Sequence, residues 1–272
     1  MYQKSDIEIL ISTMNQTNFE FLERMFLHSD YRKFNLLIIN QTVADKILIS
    51  NIESIKVFNV YESGLSISRN LALNNATKKL LVFTDDDVVF QQKFEKKIIK
   101  AFNSSPKHDG FRFQFINSQG NLAKKYPRTF QSKLTQFEIL NTSSVELVFK
   151  NKSLKESNLH FDLNFGLGTT FLMGEEAIFI NDCKNKGLKI GFVPQQLLSH
   201  SQQTTGNRTP VSEIYFVQGA VFYRIFGKMY LFWIALKLFF DIKQGKINFL
   251  EIRQLYKEAI NGKNLYVNTT RL

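Results

Sequence analysis

The stretch Leu80-Leu81-Val82-Phe83-Thr84-Asp85-Asp86-Asp87 decides the fold class. Its first five residues predict a continuous apolar strand, which is typical of a parallel sheet that is covered on both faces. Three carboxylates follow directly, at the carboxyl end of that strand. Because open α/β sheets bind ligands beyond the carboxyl ends of their strands, the stretch predicts a central strand that ends at a binding site.

Short apolar runs and helical patterns alternate around this strand. The pattern predicts strands over 7–12, 35–40 and 54–59, and helices over 19–28, 66–77 and 91–102. This alternation indicates a doubly wound α/β layer. Further along the chain, 110–116 alternates like a half-exposed strand, 117–165 is polar and weakly periodic, 174–187 predicts a helix, and 188–193 predicts a last short strand.

The composition limits the function classes. The 272 residues include 35 Lys and Arg against 24 Asp and Glu, which gives a formal net charge of +11. With 44% apolar residues, the chain can bury a core, so disorder of the whole chain is excluded. Only nine of the basic residues are Arg, the side chain best suited to bidentate base contacts, and we expect no nucleic-acid partner. The charge suits an anionic lipid surface or a diphosphate ligand, or it is a solvated basic surface without a partner.

The termini give two expectations about location. The start, Met1 to Asp6, lacks the cationic and apolar segments of an export signal, which predicts a cytoplasmic protein. The longest apolar run, Met229 to Phe240, contains Lys237 and is shorter than the roughly 18 residues of a spanning helix. A helix that is apolar around most of its circumference must still be covered, by the domain, by a partner subunit or by the membrane interface. Basic residues around the run favour peripheral contact with the inner face of the membrane.

The three consecutive aspartates are a candidate metal site. Adjacent carboxylates repel one another, so a cation or strong donors must compensate them. Mg²⁺ or Mn²⁺ accepts one or two carboxylates and fills its other positions with water and phosphate oxygens. In an extended turn, Asp85 and Asp87 project to the same side and Asp86 points away. The alternative is a solvated turn that caps the next helix, whose predicted start at Gln91 is too far from Asp87 for that role.

Two glycine-containing segments are further candidates for the site. Gly64 to Asn70 opens a helix with a glycine, the hydroxyls of Ser66 and Ser68, and the cation Arg69, which together could hold an anion. Ordinary helix capping is the alternative. In the second segment, Phe165 to Gly168 precedes Gly174-Glu175-Glu176, where a carboxylate at a helix start could serve as a general base. The alternative, simple compensation of the helix dipole, is the more ordinary explanation for glutamates at that position when this segment is taken alone.

Taken together and in order, these motifs resemble family 2 glycosyltransferases with the GT-A fold. In the first half of the chain, the resemblance lies in Thr13-Met14-Asn15, Gly64 to Asn70, and Phe83 to Asp87. In the second half, it lies in Phe161-Asp162, Phe165 to Gly168, Gly174 to Glu176, Gly187, and Val193 to His200. The resemblance spans about residues 5–205.

The resemblance implies a GT-A type, doubly wound mixed sheet with three regions. Residues 1–105 would form a Rossmann-like nucleotide-sugar half, 106–210 an acceptor half of the same catalytic domain, and 211–272 a helical, basic and aromatic extension. The implied activity is that of an inverting hexosyltransferase that uses a nucleotide-diphosphate sugar, with UDP-sugars favoured, and Mg²⁺ or Mn²⁺. The implied acceptor is a glycan or a lipid-linked acceptor.

The resemblance also implies roles for individual residues. The donor-binding residues would be Thr13, Asn15, Gly64, Ser68, Arg69, Asn70, Asp85 and Asp86. Asp87 would be the direct metal ligand, with Asp85 and His200 completing the metal shell. Glu176 would be the catalytic base, where the family usually has an aspartate, and Glu175 is the alternative base.

Two other functions remain open from the sequence. A metal-dependent phosphatase or nucleotidyltransferase also places Asp-x-Asp after a buried strand, although in haloacid dehalogenase phosphatases that strand is the first of the sheet and here three predicted strands precede it. A module that binds sugars or a membrane surface without turnover is the second alternative.

Overall fold

An eight-stranded mixed sheet forms the centre of the computed structural model, which describes residues 1–200 and 209–270. Its strands are β1 (Ile7–Met14), β2 (Asn35–Gln41), β3 (Ile55–Val60), β4 (Leu80–Asp85), β5 (Val88–Phe90), β6 (Gly110–Ile116), β7 (Leu147–Lys150) and β8 (Ile190–His200). In space they follow the order β3-β2-β1-β4-β7-β6-β8-β5.

The strand directions place the ligand edge. Strands β3, β2, β1 and β4 are parallel, so the carboxyl ends of β1, β2 and β4 open on the same edge of the sheet. Strand β7 is antiparallel to both β4 and β6, while β8 runs parallel to β6 and antiparallel to β5. Because His200 pairs with Val88, the end of β8 returns to the residue that follows Asp87.

Helices cover both faces of the sheet. They are α1 (Glu20–Met25), α2 (Leu65–Asn75), α3 (Phe94–Ser104), α4 (Gln136–Leu140), α5 (Asn151–Glu156), α6 (Glu175–Asn185), α7 (Val211–Phe226), α8 (Tyr230–Lys243) and α9 (Ile252–Thr269). On β4, Leu80 and Val82 join one apolar cluster with α1 and α3, whereas Leu81 and Phe83 join a second cluster with α2 and α6. The apolar run is therefore covered on both faces, as its composition predicts.

The region 110–165 differs from the sequence expectation. Strand β6 is buried at every residue, so the prediction of a half-exposed strand is wrong. The reason is that Arg112, which reads as a solvent-facing residue, forms a buried ion pair with Glu146, at 3.0 Å from Nε to Oε2. The polar segment 117–165 contains α4, β7 and α5, which its weak periodicity does not predict. The short strand β5 is not predicted from the sequence either.

The C-terminal helices pack on the rest of the chain. Helices α7 and α9 cross closely at Gly219, where an added Cβ would lie 1.8 Å from the carbonyl oxygen of Ala259. Arg224 joins α7 to the domain through Asp162, at 3.0 Å from Nε to Oδ2, and through Asp182, at 2.7 Å from Nη2 to Oδ2. From the sequence, the apolar run could be covered by the domain, by a partner subunit or by the membrane interface. Packing on the rest of the chain covers one face of α8, which includes Ile234 and Leu238.

The outer face of α8 remains exposed. Phe232 and Phe239 have 57% and 59% of their surface accessible, and Phe249 and Leu250 just beyond the helix have 75% and 95%. None of the helices in the described ranges 1–200 and 209–270 has the length and hydropathy needed to cross a bilayer.

Candidate active site

A cavity of about 710 Å³ opens at the carboxyl ends of β1, β2 and β4. Its nucleotide-half lining includes Thr13, Gln41, Gly64, Arg69, Asp85, Asp86 and Asp87. From later parts of the chain come Lys124, Ser144, Glu175, Glu176, His200 and one face of α7. The fold thus brings the aspartate triplet and the glutamate pair, which are about ninety residues apart in sequence, to the walls of one cavity.

Arg69 connects the two groups of carboxylates. From α2, its Nη1 donates to Glu175 Oε1 at 2.8 Å and to Glu176 Oε1 at 3.3 Å, and its Nη2 donates to Asp85 Oδ1 at 3.3 Å. Nη2 also donates to the hydroxyl of Ser144 at 2.7 Å. Only 3% of the Arg69 side chain is exposed, so this cation is positioned to hold carboxylates rather than to meet a ligand directly.

Burial and charge shift the pKa values around this cation. Burial lowers the pKa of Arg69, but the carboxylates of Asp85, Glu176 and Glu175 outweigh it and raise the pKa above its ordinary value. Burial also raises the pKa of Asp85, against the opposing effect of Arg69. For Glu175, burial and then the charge of Glu176 raise the pKa from 4.5 to about 8, although Arg69 opposes them. Glu175 therefore holds its proton more tightly than an ordinary carboxyl group.

Asp86 faces the end of β1. Its Oδ2 accepts hydrogen bonds from the hydroxyl of Thr13 and, at 3.1 Å, from Nε2 of Gln16. Asp86 lines the same cavity as Asp85 and Asp87, but its carboxylate bonds at the end of β1, whereas Asp85 bonds to Arg69 and Asp87 to His200. The turn after β4 is not extended, and each of the three carboxylates has its own protein partner.

Asp87 pairs with His200 at the end of β8. The distance from Oδ1 to Nε2 is 3.0 Å, and this hydrogen bond lowers the pKa of Asp87 in spite of its partial burial. The pairing of β5 with β8 positions the histidine, since His200 lies opposite Val88. More than half of the Asp87 side chain, 54%, is exposed, so it can meet a ligand in the cavity.

These side chains fit a hard divalent cation that is held jointly by protein and ligand. Two neighbouring ligands of an octahedral ion bound at 2.0–2.1 Å are about 3 Å apart, which matches the distance between Asp87 Oδ1 and His200 Nε2. Within residues 1–200 and 209–270, no three acidic, histidine or cysteine side chains converge as a complete metal group. A cation at this place would have a pair of protein donors, and Mg²⁺ commonly takes few protein ligands and completes its shell with water and phosphate oxygens.

Glu175 and Glu176 differ in access, although both begin α6. Glu175 is 4% exposed, and its carboxyl group packs on Gly166, where an added Cβ would lie 3.2 Å from the Cδ atom. Glu176 is 17% exposed, and its Oε1 accepts from the backbone N–H of Ser144 at 3.3 Å as well as from Arg69. Glu176 is therefore the more accessible of the two carboxylates.

Three predicted donor-binding residues lie outside the cavity lining. The hydroxyl of Ser68 is buried and donates to Ser12 at 2.8 Å, which ties α2 to β1. Asn70 exchanges two hydrogen bonds with the backbone of Phe161, at 2.9 and 2.7 Å. Asn15 is exposed at the rim with a φ of 53°. Gly64, in contrast, lines the cavity and begins α2, where the backbone of Gly168 approaches it closely.

The sequence expectation missed Ser144 and Lys124. Lys124 lines the cavity, and its Nζ donates to the carbonyl oxygen of Asn141 at 2.8 Å and to the hydroxyl of Ser143 at 2.7 Å. Burial lowers the pKa of Lys124, although Glu146 opposes this. Both residues lie in the polar, weakly periodic segment 117–165, where no sequence pattern indicates a functional residue.

Comparison with solved structures supports this architecture. The crystal structure of S. aureus TarS 1–349 has a TM-score of 0.58 at 13% sequence identity, and the match covers 96% of this chain and 73% of that chain. TarS 1–349 in complex with UDP has the same TM-score at 14% sequence identity, and the match covers 81% of this chain and 65% of that chain. For TarS 1–349 in complex with UDP-GlcNAc, the TM-score is 0.58 at 13% sequence identity, and the match covers 81% of this chain and 66% of that chain. This chain spans 40% of a longer TarS structure, with a TM-score of 0.56. At such identities the likeness concerns the fold.

The sequence itself places the chain in a family. No curated protein matches it. The profile of "Glycosyl transferase family 2" matches residues 9–161, which include most of β1, Arg69 and the aspartate triplet. With this profile and the TarS neighbours, the mixed α/β sheet and its C-terminal helices are of the GT-A type. Because the matched region is more than half of the chain, the protein belongs to glycosyl transferase family 2.

Proposed function

We propose that the protein is an inverting glycosyltransferase that moves a hexosyl group from a nucleotide-diphosphate sugar to an acceptor hydroxyl. The observation that carries the proposal is that Asp85, Asp86, Asp87 and Glu176 all line one cavity. Family membership supports a glycosyltransferase, and the cavity joins the end of β4 to a carboxylate suited to act as a base.

The donor is a nucleotide-diphosphate sugar, with UDP-sugars favoured. TarS has the same fold and has been solved with UDP and with UDP-GlcNAc, which supports this choice. Thr13 and Gln41, at the ends of β1 and β2, lie where a nucleoside would enter the parallel half of the sheet. The diphosphate would lie between Gly64 and Asp87, which both line the cavity.

Mg²⁺ or Mn²⁺ would be held by Asp87 and His200, with Asp85 nearby. When bound, such an ion neutralises negative charge on a nucleoside diphosphate as it leaves. The carboxylates explain why a cation suits this place, because Asp85, Asp87 and Glu176 would otherwise repel a diphosphate. Arg69 cannot replace the ion, since it is buried and already bonded to three carboxylates.

Glu176 acts as the general base. As the acceptor oxygen forms a bond to the anomeric carbon, the bond from that carbon to the diphosphate oxygen breaks, and the hydroxyl proton passes to the carboxylate. Arg69 and the Ser144 N–H both contact Oε1, so they orient the group and leave Oε2 for the proton. Glu175 is less suited, because it is nearly inaccessible and its raised pKa favours the protonated form.

The acceptor is a glycan or a lipid-linked acceptor, and the protein contacts the inner face of the membrane from the cytoplasm. The exposed aromatic face of α8 supports membrane contact, because the exposed charges around it are the cations of Lys228, Lys243, Lys246 and Arg253. In flotation with vesicles, we expect binding to phosphatidylglycerol-containing vesicles and weaker binding in Phe239→Ser. Absence of the wild-type protein from the anionic vesicle fraction would remove this part of the proposal.

Residues 1–210 form the catalytic domain, with the nucleotide-sugar half over 1–105 and the acceptor half over 106–210, and 211–272 are its helical extension. The family profile spans the first half and part of the second. The ion pairs of Arg224 with Asp162 and Asp182 support an extension that is fixed to the domain.

A donor panel tests the proposal. UDP-, GDP- and dTDP-sugars are incubated with the full chain and Mn²⁺, and released nucleoside diphosphate and inorganic phosphate are measured separately. We expect release of UDP from a UDP-sugar, with the sugar recovered on water or on an acceptor. Release of inorganic phosphate alone would favour a phosphatase, and saturable binding without turnover would favour a sugar-binding module.

A further inference from the structure

One face of α7 forms a wall of the cavity. Val217, Gln218, Val221 and Phe222 all line it, and their spacing places them on adjacent rows of the same helix. These residues lie outside the matched region 9–161, so this wall is not part of the family profile.

Helix α7 lies directly against the start of the helix that carries the glutamates. A Cβ on Gly174 would be 2.4 Å from Cγ2 of Val221, so only a glycine permits this contact. Gly174 immediately precedes Glu175 and Glu176. The face of α7 is therefore beside the carboxylates, on the side of the cavity that belongs to the later part of the chain.

The position of α7 is firmly fixed. Arg224 pairs with Asp162 and Asp182, and the hydroxyl of Tyr215 donates to Asp241 Oδ2 at 2.9 Å within the helical extension. A wall held in this way can select a substrate by shape, because its side chains are pre-positioned.

Gln218 has an unused hydrogen-bonding atom. Its Oε1 is buried, and among the described residues it has no hydrogen-bond partner. A buried amide oxygen without a partner costs free energy, which a bound hydroxyl group would recover. The adjacent side chains of Val217, Val221 and Phe222 are apolar and suit the non-polar face of a sugar ring.

We infer that α7 is the acceptor wall of the cavity, where Gln218 Oε1 accepts a hydrogen bond from a hydroxyl of the acceptor sugar. This inference rests on the proposed function. The acceptor ring lies between the apolar residues of α7 and Glu176, which places a second hydroxyl near the base. The donor contacts the part of the cavity that Gly64 and the aspartates line.

The test compares Gln218→Met with the matched control Gln244→Met, at an exposed position after α8. Methionine keeps the length and approximate volume of the side chain and removes the hydrogen-bonding oxygen. Methyl glycosides of glucose, galactose and N-acetylglucosamine serve as acceptors, with the UDP-sugar that the wild-type protein uses. Transfer and acceptor-free donor hydrolysis are measured, and binding of each methyl glycoside is measured separately by saturation-transfer NMR without donor.

We expect Gln218→Met to raise the acceptor KM by about tenfold, the effect of one lost hydrogen bond. Donor KM and donor hydrolysis should remain within about twofold of wild type, which also shows that the variant folds. The inference is overturned if the acceptor KM is unchanged, or if donor KM and hydrolysis change as much as the acceptor KM does. If the wild-type protein neither transfers the sugar nor hydrolyses the donor, the transferase proposal fails. In that case, equal binding of the methyl glycosides by the wild-type protein and Gln218→Met overturns the acceptor wall separately.

Discussion

Replacing Glu176 by glutamine separates its role as a base from its role in the structure. The amide oxygen can still accept hydrogen bonds from Arg69 and from the Ser144 N–H, which are both at 3.3 Å from the carboxylate. The amide cannot take up a proton at neutral pH, so the general-base contribution is lost. That contribution is typically about 10²–10⁴-fold in rate, equivalent to roughly 3–5 kcal/mol in the activation barrier. We expect transfer to fall by this factor.

The assay is single-turnover transfer in a rapid-quench instrument, with saturating donor and acceptor, so that product release does not mask the chemical step. UDP binding by calorimetry should be unchanged in the variant. Glu175→Gln is the matched control, and it should slow transfer by less than about tenfold if the second glutamate is not the base. Transfer by Glu176→Gln at a rate close to wild type, or a larger loss in Glu175→Gln, would refute the assignment of the base.

Three further predictions concern stability. Arg69→Met leaves its carboxylates without their buried cation and should lower the free energy of unfolding by about 3–5 kcal/mol, measured in urea. Because the folded state holds the Glu175 proton up to about pH 8 and the unfolded chain only to about 4.5, wild-type stability should fall as the pH rises through that window. Glu175→Gln should make the decline in melting temperature shallower, while Asp85, whose pKa is also raised, still contributes to it; equal slopes in the two proteins would contradict this. Gly219→Ala places a Cβ 1.8 Å from the Ala259 carbonyl oxygen and should cost about 1–3 kcal/mol or more, seen as a lower melting temperature; an unchanged value would mean that α7 and α9 do not cross this closely.

Local patterns were sufficient for the central sheet and for part of the site. The apolar run of β4 predicts its burial, and the position of Asp85 to Asp87 at its end predicts a place in the cavity, because both depend on residues that are adjacent in sequence. The same reasoning identified Arg69, although as a contact for the diphosphate, whereas the structure buries it among carboxylates.

Contacts between distant parts of the chain were not accessible from local patterns. Arg112 lies in an alternating segment that looks half exposed, and only the approach of Glu146 from another element explains its burial. Ser68 has the spacing of a phosphate-binding hydroxyl, yet it lies where α2 packs on β1 and bonds to Ser12. Gln218 belongs to a helix whose contact with Gly174 depends on the tertiary fold.

The central claim is that Asp87 and His200 hold a cation that binds the diphosphate of the donor. Calorimetric titration of UDP in the presence and absence of Mn²⁺, for the wild-type protein, Asp87→Asn and the exposed control Asp45→Asn, tests this claim directly. We predict that wild-type UDP binding requires Mn²⁺ and weakens by about tenfold or more in Asp87→Asn, which corresponds to 1.4 kcal/mol, with no change in the control. UDP affinity that is independent of Mn²⁺ and equal in all three proteins would contradict the claim.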